Sequence, residues 1–375
     1  MDYQSERKLK VVFLLGSLNR GGTETLLLDM FKVNTLPLFE SFCVYRKPGM
    51  LENDFINTNV TVLKFSSGRN PLNYILKLRN FIQQNEIQIV HAQQYIDAFY
   101  AYIATIGLKT KLVQTFHGYD YSISDFGKFI LKFIIHKTHA NFYVSKNTME
   151  YYTKEYKLDL KLQHVVYNGI SYDKFLDTSL SKTGIRNEVN IDKNIKFFGS
   201  VGSFVPVRDQ LTICKFLKLL KDTGTEFHFI FIGKKSDAYP DLYNKCIEFC
   251  KRNNLTANVS FLGVRNDVPE ILKQLDAFVY SSDHDTFGIA VIEAISAAIP
   301  VFVNDWSVML EVTDNGKLAN IYQTKNENDL LLKFIDYLND RELYKNNAIM
   351  NAIKIRQKFN IQQHIDSLYQ LYKTL

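Results

Sequence analysis

The chain has 375 residues, of which 46% are hydrophobic and 22% charged, and its net charge is +6. This composition excludes a disordered protein, and the length predicts two domains rather than one. No apolar run approaches the ~18–20 residues that span a bilayer. Residues 1–10 are polar and lack the apolar core of a signal peptide, so we expect a cytoplasmic protein.

The basic excess is confined to the first half of the chain. Residues 1–175 hold 21 Lys and Arg against 15 Asp and Glu, whereas residues 176–375 hold 24 of each. This bias is compatible with a surface that faces anionic lipid or an anionic acceptor. It is too small to indicate nucleic-acid binding, and no aromatic-basic motif of the RNA-binding type accompanies it.

Short apolar runs of β type alternate with helix-length amphipathic segments, which is the pattern of doubly wound parallel sheets. In the first half we predict strands at residues 10–15, 42–45, 60–65, 88–92, 112–116, 141–144 and 164–167. The helices between them are predicted at residues 23–32, 72–84, 97–106, 128–137 and 147–157. Further strands are predicted at residues 195–201, 226–232, 258–262, 276–281 and 300–304, with a mostly helical tail from residue 327.

The polar stretch over residues 171–194 interrupts this alternation and indicates a domain boundary. We predict a Rossmann-like N-terminal domain over residues 1–175, a linker over 176–194 and a Rossmann-like C-terminal domain over 195–355. The helical residues 356–375 are predicted to return toward the N-terminal domain.

The segment from Ser281 to Asp305 has the order strand end, polar loop, helix and strand. Asp285 would lie at the carboxyl end of the first strand, and Glu293 about two turns into the helix. Gly288, at the helix start, allows a ligand to approach closely. Ligands of open α/β sheets bind in this crevice, and a free helix N-terminus there favours an anion.

This segment resembles the donor-site signature of retaining glycosyltransferases of family 4, in which two acidic residues have the same spacing. The family's first position is usually Glu, and here it is Asp285. The resemblance covers nearly the whole chain and implies the α/β GT-B architecture, two Rossmann-like doubly wound parallel-sheet domains facing a central cleft. It implies transfer of a sugar from a nucleoside diphosphate, with UDP expected, to a glycan or lipid-linked glycan in surface polysaccharide synthesis. The nucleotide-sugar is then a substrate, and no cofactor is expected.

Gly21 and Gly22 follow the first predicted strand and precede a helix whose unpaired N–H groups suit a phosphate. The dinucleotide fingerprint is lacking, which disfavours NAD, and a plain tight turn is the alternative. The resemblance places a Gly-Gly-x-Glu turn here, which assigns Gly21 and Gly22 to donor binding and Glu24 to the acceptor side.

Two histidines follow predicted strands. His117 precedes Gly118, and the resemblance places its imidazole against the donor sugar, whereas a capping or core histidine is the alternative. His91 closes the fourth strand, and Gln93 replaces the family's next motif histidine. His91 is therefore a candidate only for the acceptor side.

In the family, an Arg and a Lys five residues later clamp the diphosphate. Ser203 replaces that Arg in this chain, and Arg208 stands at the Lys position. A guanidinium can bind phosphate oxygens through two hydrogen bonds, so Arg208 can cover part of the missing charge. Lys234 or Lys235 could add a second cation, or either could face solvent.

The resemblance also assigns the remaining donor contacts. The backbone around Val264 and Arg265 would hold the nucleobase, although the same residues also fit a plain strand followed by a helix capped at Asp267. Glu293 would accept hydrogen bonds from the ribose hydroxyls. The amides assigned to the diphosphate are those of Thr286, Phe287 and Gly288.

The catalytic set implied by the resemblance is His117, Asp285 and Arg208, with Asp285 holding sugar hydroxyls. Asp283 and Asp285 also match the Asp-x-Asp metal motif of the other large glycosyltransferase architecture. Two such carboxylates could hold Mg²⁺ or Mn²⁺. We predict metal independence, because Arg208 and helix dipoles perform this task in the GT-B plan. A nucleotide-sugar epimerase and an inactive binding partner of a synthase are the alternative functions.

Residues 126–137 contain Lys128, Lys132 and His136 at four-residue spacing, with large apolar side chains on the other faces. One interpretation is a helix packed on the first domain, with its cationic row in solvent. The other is a helix whose basic row and apolar surface make peripheral contact with an anionic inner membrane face.

Overall fold

The computed structural model describes residues 8–33, 38–66, 68, 70–121, 123–176 and 184–375. The chain forms two compact units. The first unit comprises Met1–Ile170 together with Phe359–Leu375, and the second comprises Ser171–Lys358. No helix of the described residues is both long enough and apolar enough to cross a membrane.

In the first unit the described residues form a parallel seven-stranded sheet with the order β3-β2-β1-β4-β5-β6-β7. Its strands are β1 (Leu9–Ser17), β2 (Phe39–Lys47), β3 (Thr61–Lys64), β4 (Ile89–Ala92), β5 (Lys111–Phe116), β6 (Ala140–Tyr143) and β7 (Gln163–Val165). Its helices are α1 (Gly22–Lys32), α2 (Glu52–Ile56), α3 (Pro71–Gln84), α4 (Tyr95–Thr105), α5 (Asp125–Ile134), α6 (Lys146–Tyr156) and, at the end of the chain, α16 (Ile361–Lys373).

The burial of β1 explains its apolar sequence. Residues 11–15 are fully buried, because helices cover both faces of a parallel sheet and leave no polar face. The last helix belongs to this core, since Ile365, Leu368 and Tyr372 of α16 pack in the same cluster as Phe13. The chain therefore returns to the first unit after completing the second.

In the second unit the described residues form a parallel six-stranded sheet with the order β10-β9-β8-β11-β12-β13. Its strands are β8 (Lys196–Val201), β9 (Phe227–Ile232), β10 (Val259–Phe261), β11 (Ala277–Tyr280), β12 (Val301–Asn304) and β13 (Asn320–Tyr322). Its helices are α7 (Asp173–Leu176), α8 (Ile185–Glu188), α9 (Gln210–Asp222), α10 (Pro240–Arg252), α11 (Val268–Leu272), α12 (Ile289–Ser296), α13 (Ser307–Val312), α14 (Glu327–Asn339) and α15 (Arg341–Lys358).

Each sheet has one topological switch point, where neighbouring strands connect in opposite directions. This point lies between β1 and β4 in the first unit and between β8 and β11 in the second. The loops that leave these strands at their carboxyl ends form the crevice in which such sheets bind ligands. Gly21, Gly22 and Glu24 follow β1, and Arg208 follows β8. Asp285 and residues 286–288 follow β11, whereas His117 follows β5 and residues 264–265 follow β10.

All twelve predicted strands are present, with ends that differ by a few residues. Strand β13 was not predicted, because three residues are too few to show an alternating pattern. The predicted linker over 176–194 contains the short helix α8, and its residues 177–183 lie outside the described residues.

Candidate active site

Arg208 lies at the centre of the switch point in the second unit. A backbone bridge pairs it with Ser282, which joins the loop after β8 to the loop after β11. Its Nη1 lies 3.1 Å from the Asp285 Oδ2 and donates to the Ser282 Oγ at 3.1 Å. Its guanidinium also lies 5.1 Å from the centre of the Tyr280 ring. Burial opposes the charge of Arg208, but Asp285 and Tyr280 favour it, so the pKa of Arg208 is raised.

Asp285 is buried and receives several donors. Its carboxylate accepts hydrogen bonds from the Tyr280 hydroxyl at 2.5 Å and from the Thr286 amide at 2.8 Å. The Phe287 amide also points to it, at 3.5 Å. Two of the amides predicted to bind the diphosphate therefore donate to Asp285 in this structure. The Asp285 carboxylate is thus held in place by a cation, a phenol and the backbone.

The loop after β11 is fixed from the neighbouring strand. The Asn304 side chain, at the end of β12, accepts from the Ser282 amide at 2.9 Å and donates to the Ser282 carbonyl at 2.8 Å. The Trp306 indole donates to the Asp285 carbonyl at 3.3 Å. Neither Asn304 nor Trp306 was predicted as a site residue, although Asn304 lies within the segment from Ser281 to Asp305 and Trp306 directly follows it.

Gly288 is the N-cap of α12 and has φ of +79°, a conformation that favours glycine. A Cβ atom there would lie 2.7 Å from the Met309 Cε, so the end of the Met309 side chain would have to move. Glu293 is half-buried in α12, as the spacing predicts. Burial is the main cause that raises the pKa of the Tyr172 phenol; Ser296 and Arg356 oppose this shift, and the charge of Glu293 adds a smaller contribution to it.

Asp283 and Asp285 are paired with different cations. The Lys325 Nζ lies 2.6 Å from the Asp283 Oδ2, whereas Arg208 faces Asp285. The buried Oδ1 of Asp283 has no hydrogen-bond partner among the described residues. Within the described ranges, no group of three or more His, Cys, Asp or Glu side chains could hold a metal ion. Lys325 follows β13, the strand that was missed, and so it was not a candidate.

The loops after β8 and β9 approach each other closely around Ser203. A Cβ atom at Gly233 would lie 2.0 Å from the Gly202 carbonyl oxygen, so glycine is required there. The Gln210 amide donates to the carbonyls of Gly202 and Ser203, at 3.2 and 3.1 Å. The two lysines proposed as extra cations are exposed and already have partners, since Lys234 contacts Asp237 and Lys235 contacts Asn244.

In the loop after β10, Val264 is exposed and the side chain of Arg265 forms ion pairs. Val264 is 51% exposed, and the Arg265 guanidinium contacts both Asp267 and Glu188, each at 2.7 Å. Asp267 is the N-cap of α11, but its side chain does not cap the helix. The expected cap is therefore wrong, because the Asp267 carboxylate binds Arg265 instead.

In the first unit, Gly21 is the N-cap of α1 and Gly22 is its first residue. A Cβ atom at Gly21 would lie 2.5 Å from the Glu24 Oε2, so the Glu24 carboxylate lies against the Gly21 backbone. Burial raises the pKa of Glu24, although a hydrogen bond to its own backbone opposes this effect. The three predicted residues of this turn thus lie together.

His117 is half-buried at the carboxyl end of β5, where its Nε2 lies 2.7 Å from the Gln93 Oε1. Burial and, to a smaller extent, His364 lower its pKa to about 3, so the imidazole is neutral near pH 7. The buried Nε2 of Gln93 has no partner among the described residues. Gln93 was noticed only as a departure from the family pattern, yet its side chain contacts the His117 ring.

His91 is buried, and both of its ring nitrogens are occupied. Its Nδ1 lies 2.6 Å from the Tyr372 hydroxyl, and its Nε2 lies 2.6 Å from the Thr115 Oγ1. The proposed acceptor-side role of His91 is therefore corrected, because the ring has no nitrogen left for a ligand. It is a core histidine that connects β4 and β5 to α16.

Besides His117 and Gln93, the first unit contains a buried ion pair that was not predicted from the sequence. Arg46, at the end of β2, lies 2.6 Å from the fully buried Asp97 in the first turn of α4. The Arg46 Nη2 also approaches Gly16, where a Cβ atom would lie 3.1 Å from it. Burial raises the pKa of Asp97, and the charge of Arg46 opposes this shift. An isolated Arg and Asp, 51 residues apart, carry no local signal of such a pair.

Two family models match the chain, one within each of the two units apart from a few residues at the boundary. Residues 41–174 match the family described as Glycosyltransferase Family 4, and residues 181–354 match the family described as Glycosyl transferases group 1. The chain belongs to the family 4-type glycosyltransferases of GT-B fold.

Two relatives and one solved structure illustrate the breadth of these glycosyltransferases. The chain is 27% identical over 340 residues to an uncharacterised glycosyltransferase of Methanocaldococcus jannaschii, covering 86% of this chain and 87% of the relative. It is 23% identical to the UDP-Gal:alpha-D-GlcNAc-diphosphoundecaprenol alpha-1,3-galactosyltransferase of Escherichia coli, covering 94% and 93% of the two chains. The structure of Anabaena HepE in complex with UDP and glucose is similar with a TM-score of 0.85 at 17% identity, covering 98% of this chain and all of that one. At this identity the structural likeness shows the fold alone.

Proposed function

We propose that this glycosyltransferase is a retaining enzyme that transfers a sugar from a UDP-sugar to a glycan or lipid-linked glycan of a surface polysaccharide. The observation that carries the proposal is the contact of Arg208 with Asp285 at the switch point of the second unit, beside the start of α12. A fixed cation next to a helix N-terminus suits a diphosphate.

Arg208 is the residue proposed to stabilise the departing diphosphate. Its guanidinium is already oriented by Ser282, Asp285 and Tyr280, so little reorganisation is needed when negative charge develops on the phosphate. Lys325 is proposed as the second cation in place of the one lost at Ser203, because it lies against Asp283, two residues from Asp285.

The other roles follow the resemblance residue by residue. Glu293 binds the ribose hydroxyls, Asp285 binds hydroxyls of the transferred sugar, and the backbone at Val264 and Arg265 holds the base. In the first unit, His117 is proposed to contact the sugar as a neutral imidazole, which can accept or donate a hydrogen bond without adding charge. The leaving phosphate itself takes the proton of the acceptor hydroxyl in a front-face reaction.

Metal independence is part of the proposal. The two carboxylates of the Asp-x-Asp string are each paired with a cation, Lys325 for Asp283 and Arg208 for Asp285. A divalent ion would have to displace both of these cations. This arrangement favours charge stabilisation by Arg208 over stabilisation by a metal.

The choice of donor, acceptor and location is guided by the relatives. One is named for UDP-Gal and an acceptor linked to diphosphoundecaprenol, and HepE was solved with UDP and glucose. We therefore propose UDP as the nucleotide and a polyprenyl-diphosphate-linked glycan as the acceptor. Such an acceptor would place this enzyme at the inner membrane face, as a peripheral protein.

The test begins with thermal-shift measurements against UDP, GDP and TDP, followed by transfer assays with the sugars of the nucleotide that stabilises the protein. We expect stabilisation by UDP, transfer that continues in excess EDTA, and a product whose anomeric configuration by NMR is that of the donor. Inversion would contradict the retaining mechanism. Complete loss of activity with EDTA, restored by Mn²⁺, would assign Asp283 and Asp285 to a metal site. Conversion of the UDP-sugar without any acceptor would indicate an epimerase instead.

A further inference from the structure

Helix α5 exposes three phenylalanines on its outer side. Phe126 is 73% exposed, Phe129 71% and Phe133 40%. Their spacing of three and four residues places them in one row along the helix. Single exposed apolar residues are ordinary, but a row of exposed aromatic rings indicates a surface that binds a protein or a membrane.

The opposite side of α5 is firmly packed, so the exposed row does not result from a loosely attached helix. Ile130, Leu131 and Ile134 are buried, and Ser124 caps the helix by accepting from the Gly127 amide. A Cβ atom at Gly127 would lie 2.7 Å from the Tyr95 hydroxyl, which shows how closely the first turn approaches α4. The phenylalanines are therefore held outward by a fixed helix.

A row of lysines runs beside the phenylalanines. Lys128, Lys132 and Lys137 are exposed, and Asp125 is the single acidic residue of α5. On a helical projection, Lys128 and Lys132 form a strip next to the phenylalanine row, and both strips lie on the exposed side. Lys137 lies 5.8 Å from the centre of the Phe133 ring.

Further exposed apolar residues lie on neighbouring segments of the first unit. Tyr121, shortly before the helix, is 53% exposed. Helix α4 packs against both α5 and α3, and α3 exposes Leu72 and Leu76 beside Lys77. The combined pattern of exposed apolar and basic side chains covers neighbouring helices on one side of the sheet.

We infer that this face of the first unit, centred on Phe126, Phe129, Lys128 and Lys132 of α5, docks on an anionic lipid bilayer. The lysines are attracted to acidic headgroups, and the phenylalanines enter the boundary between headgroups and acyl chains. A second copy of the chain fits this face less well, because a symmetric contact would bring the lysine rows of both copies together. The inference concerns binding to a membrane and does not depend on sugar transfer.

The test is flotation of the full-length protein with phosphatidylcholine vesicles that contain or lack phosphatidylglycerol. Lys128→Glu/Lys132→Glu and Phe126→Ser/Phe129→Ser change the docking face. Lys245→Glu/Lys251→Glu on α10 and Leu332→Ser/Leu343→Ser on the second unit are matched controls at exposed positions. Equal melting temperatures of all variants would show that each is folded.

We expect the wild type and both controls to float with the anionic vesicles and not with the neutral ones. Vesicle affinity of the lysine variant should fall by about 30- to 1000-fold, because two attractions are lost and two repulsions replace them. The phenylalanine variant should retain only weak binding that salt abolishes. Failure of the wild type to bind anionic vesicles, or equal binding by the α5 variants, would overturn the inference. A wild-type dimer that the phenylalanine variant dissociates, without vesicle binding, would identify the face as a contact between copies and would also overturn it.

Sugar transfer to a short water-soluble acceptor, measured without vesicles, tests the proposed function independently of membrane binding. The α5 variants should retain that transfer, since they change vesicle binding only. Vesicle binding as expected with no transfer to any acceptor would contradict the proposed function and leave the docking face in place.

Discussion

The two units share one architecture but differ in the charge of their functional edges. In the second unit the switch point holds paired ions, Arg208 with Asp285 and Lys325 with Asp283. In the first unit the edge at β5 holds a neutral histidine, His117, against the neutral side chain of Gln93. The fold therefore determines where a ligand binds, and the loop residues determine which chemistry occurs there.

This difference suits two tasks of a glycosyltransferase. A diphosphate that leaves with developing negative charge requires cations that are already in place. Sugar hydroxyls require donors and acceptors of hydrogen bonds, which neutral side chains supply without a large desolvation cost. If this division is correct, the charged edge of the second unit acts on the nucleotide, and the first unit is stable only while the His117 and His364 rings are uncharged.

The largest effect is expected for Arg208→Met, which removes the cation and leaves Asp285 buried beside Tyr280. We expect kcat/KM for sugar transfer to fall by about 100- to 1000-fold, the range for loss of one donor that stabilises a developing anion. Arg252→Met is a suitable control, because Arg252 forms an exposed pair with Glu248. Similar activity of the two variants would remove Arg208 from the reaction.

Glu293→Gln tests the nucleotide contact while keeping the size of the side chain. We expect UDP affinity measured by calorimetry to weaken by about 1–3 kcal/mol, the range for a hydrogen bond to a charged group. Glu248→Gln on the exposed side of α10 should bind UDP as the wild type does. If Glu293→Gln also binds UDP normally, Glu293 does not belong to the donor site.

The buried histidines of the first unit predict a stability that decreases in acid. Burial lowers the pKa of His364 from 6.5 to about 4 and that of His117 to about 3, whereas the unfolded chain binds these protons near pH 6.5. The stabilisation is therefore complete above pH 6.5 and is lost as the pH falls toward the folded values. For the buried His364, lowering the pH from 6.5 to 5 should cost about 2 kcal/mol.

Urea unfolding at pH 7 and pH 5 measures this loss. His364→Gln should reduce the difference between the two conditions, because its amide does not titrate. His136→Gln, at an exposed position, is the control and should show the wild-type difference. An unaltered pH dependence in His364→Gln would show that this ring is not buried in its neutral form.

The smallest effect is expected for Lys325→Gln. Lys325 is exposed and contacts the largely buried Asp283, so its loss should weaken UDP binding by only about 2- to 5-fold. Lys317→Gln, which removes an exposed partner of Asp314, is the matched control. No difference between the two variants would mean that Lys325 does not replace the cation lost at Ser203.

The sequence alone determined the fold class, the strands that were predicted and the segment that carries Asp285 and Glu293. The strands were predicted because apolar runs mark buried parallel strands, and the segment was found because a glycine and two acidic residues stand at a fixed spacing. The structure places that segment after β11, while its role in donor binding stays a prediction. Arg208 was also identified from the sequence, because it stands at the position where the family has a Lys. The short strand β13 was not, because three residues carry no detectable period.

Only the tertiary structure decided which side chains meet. His91 lies near the end of β4 and His117 directly follows β5. His91 is nevertheless enclosed by Thr115 and Tyr372, whereas His117 is half-buried at the sheet edge. The partner Tyr372 lies 281 residues away on α16, so no local pattern could assign His91 to the core. The pairing of Lys325 with Asp283 and the outward phenylalanines of α5 likewise depend on how elements pack. Burial and charge pairing are properties of neighbours in space, and the chain order does not encode them locally.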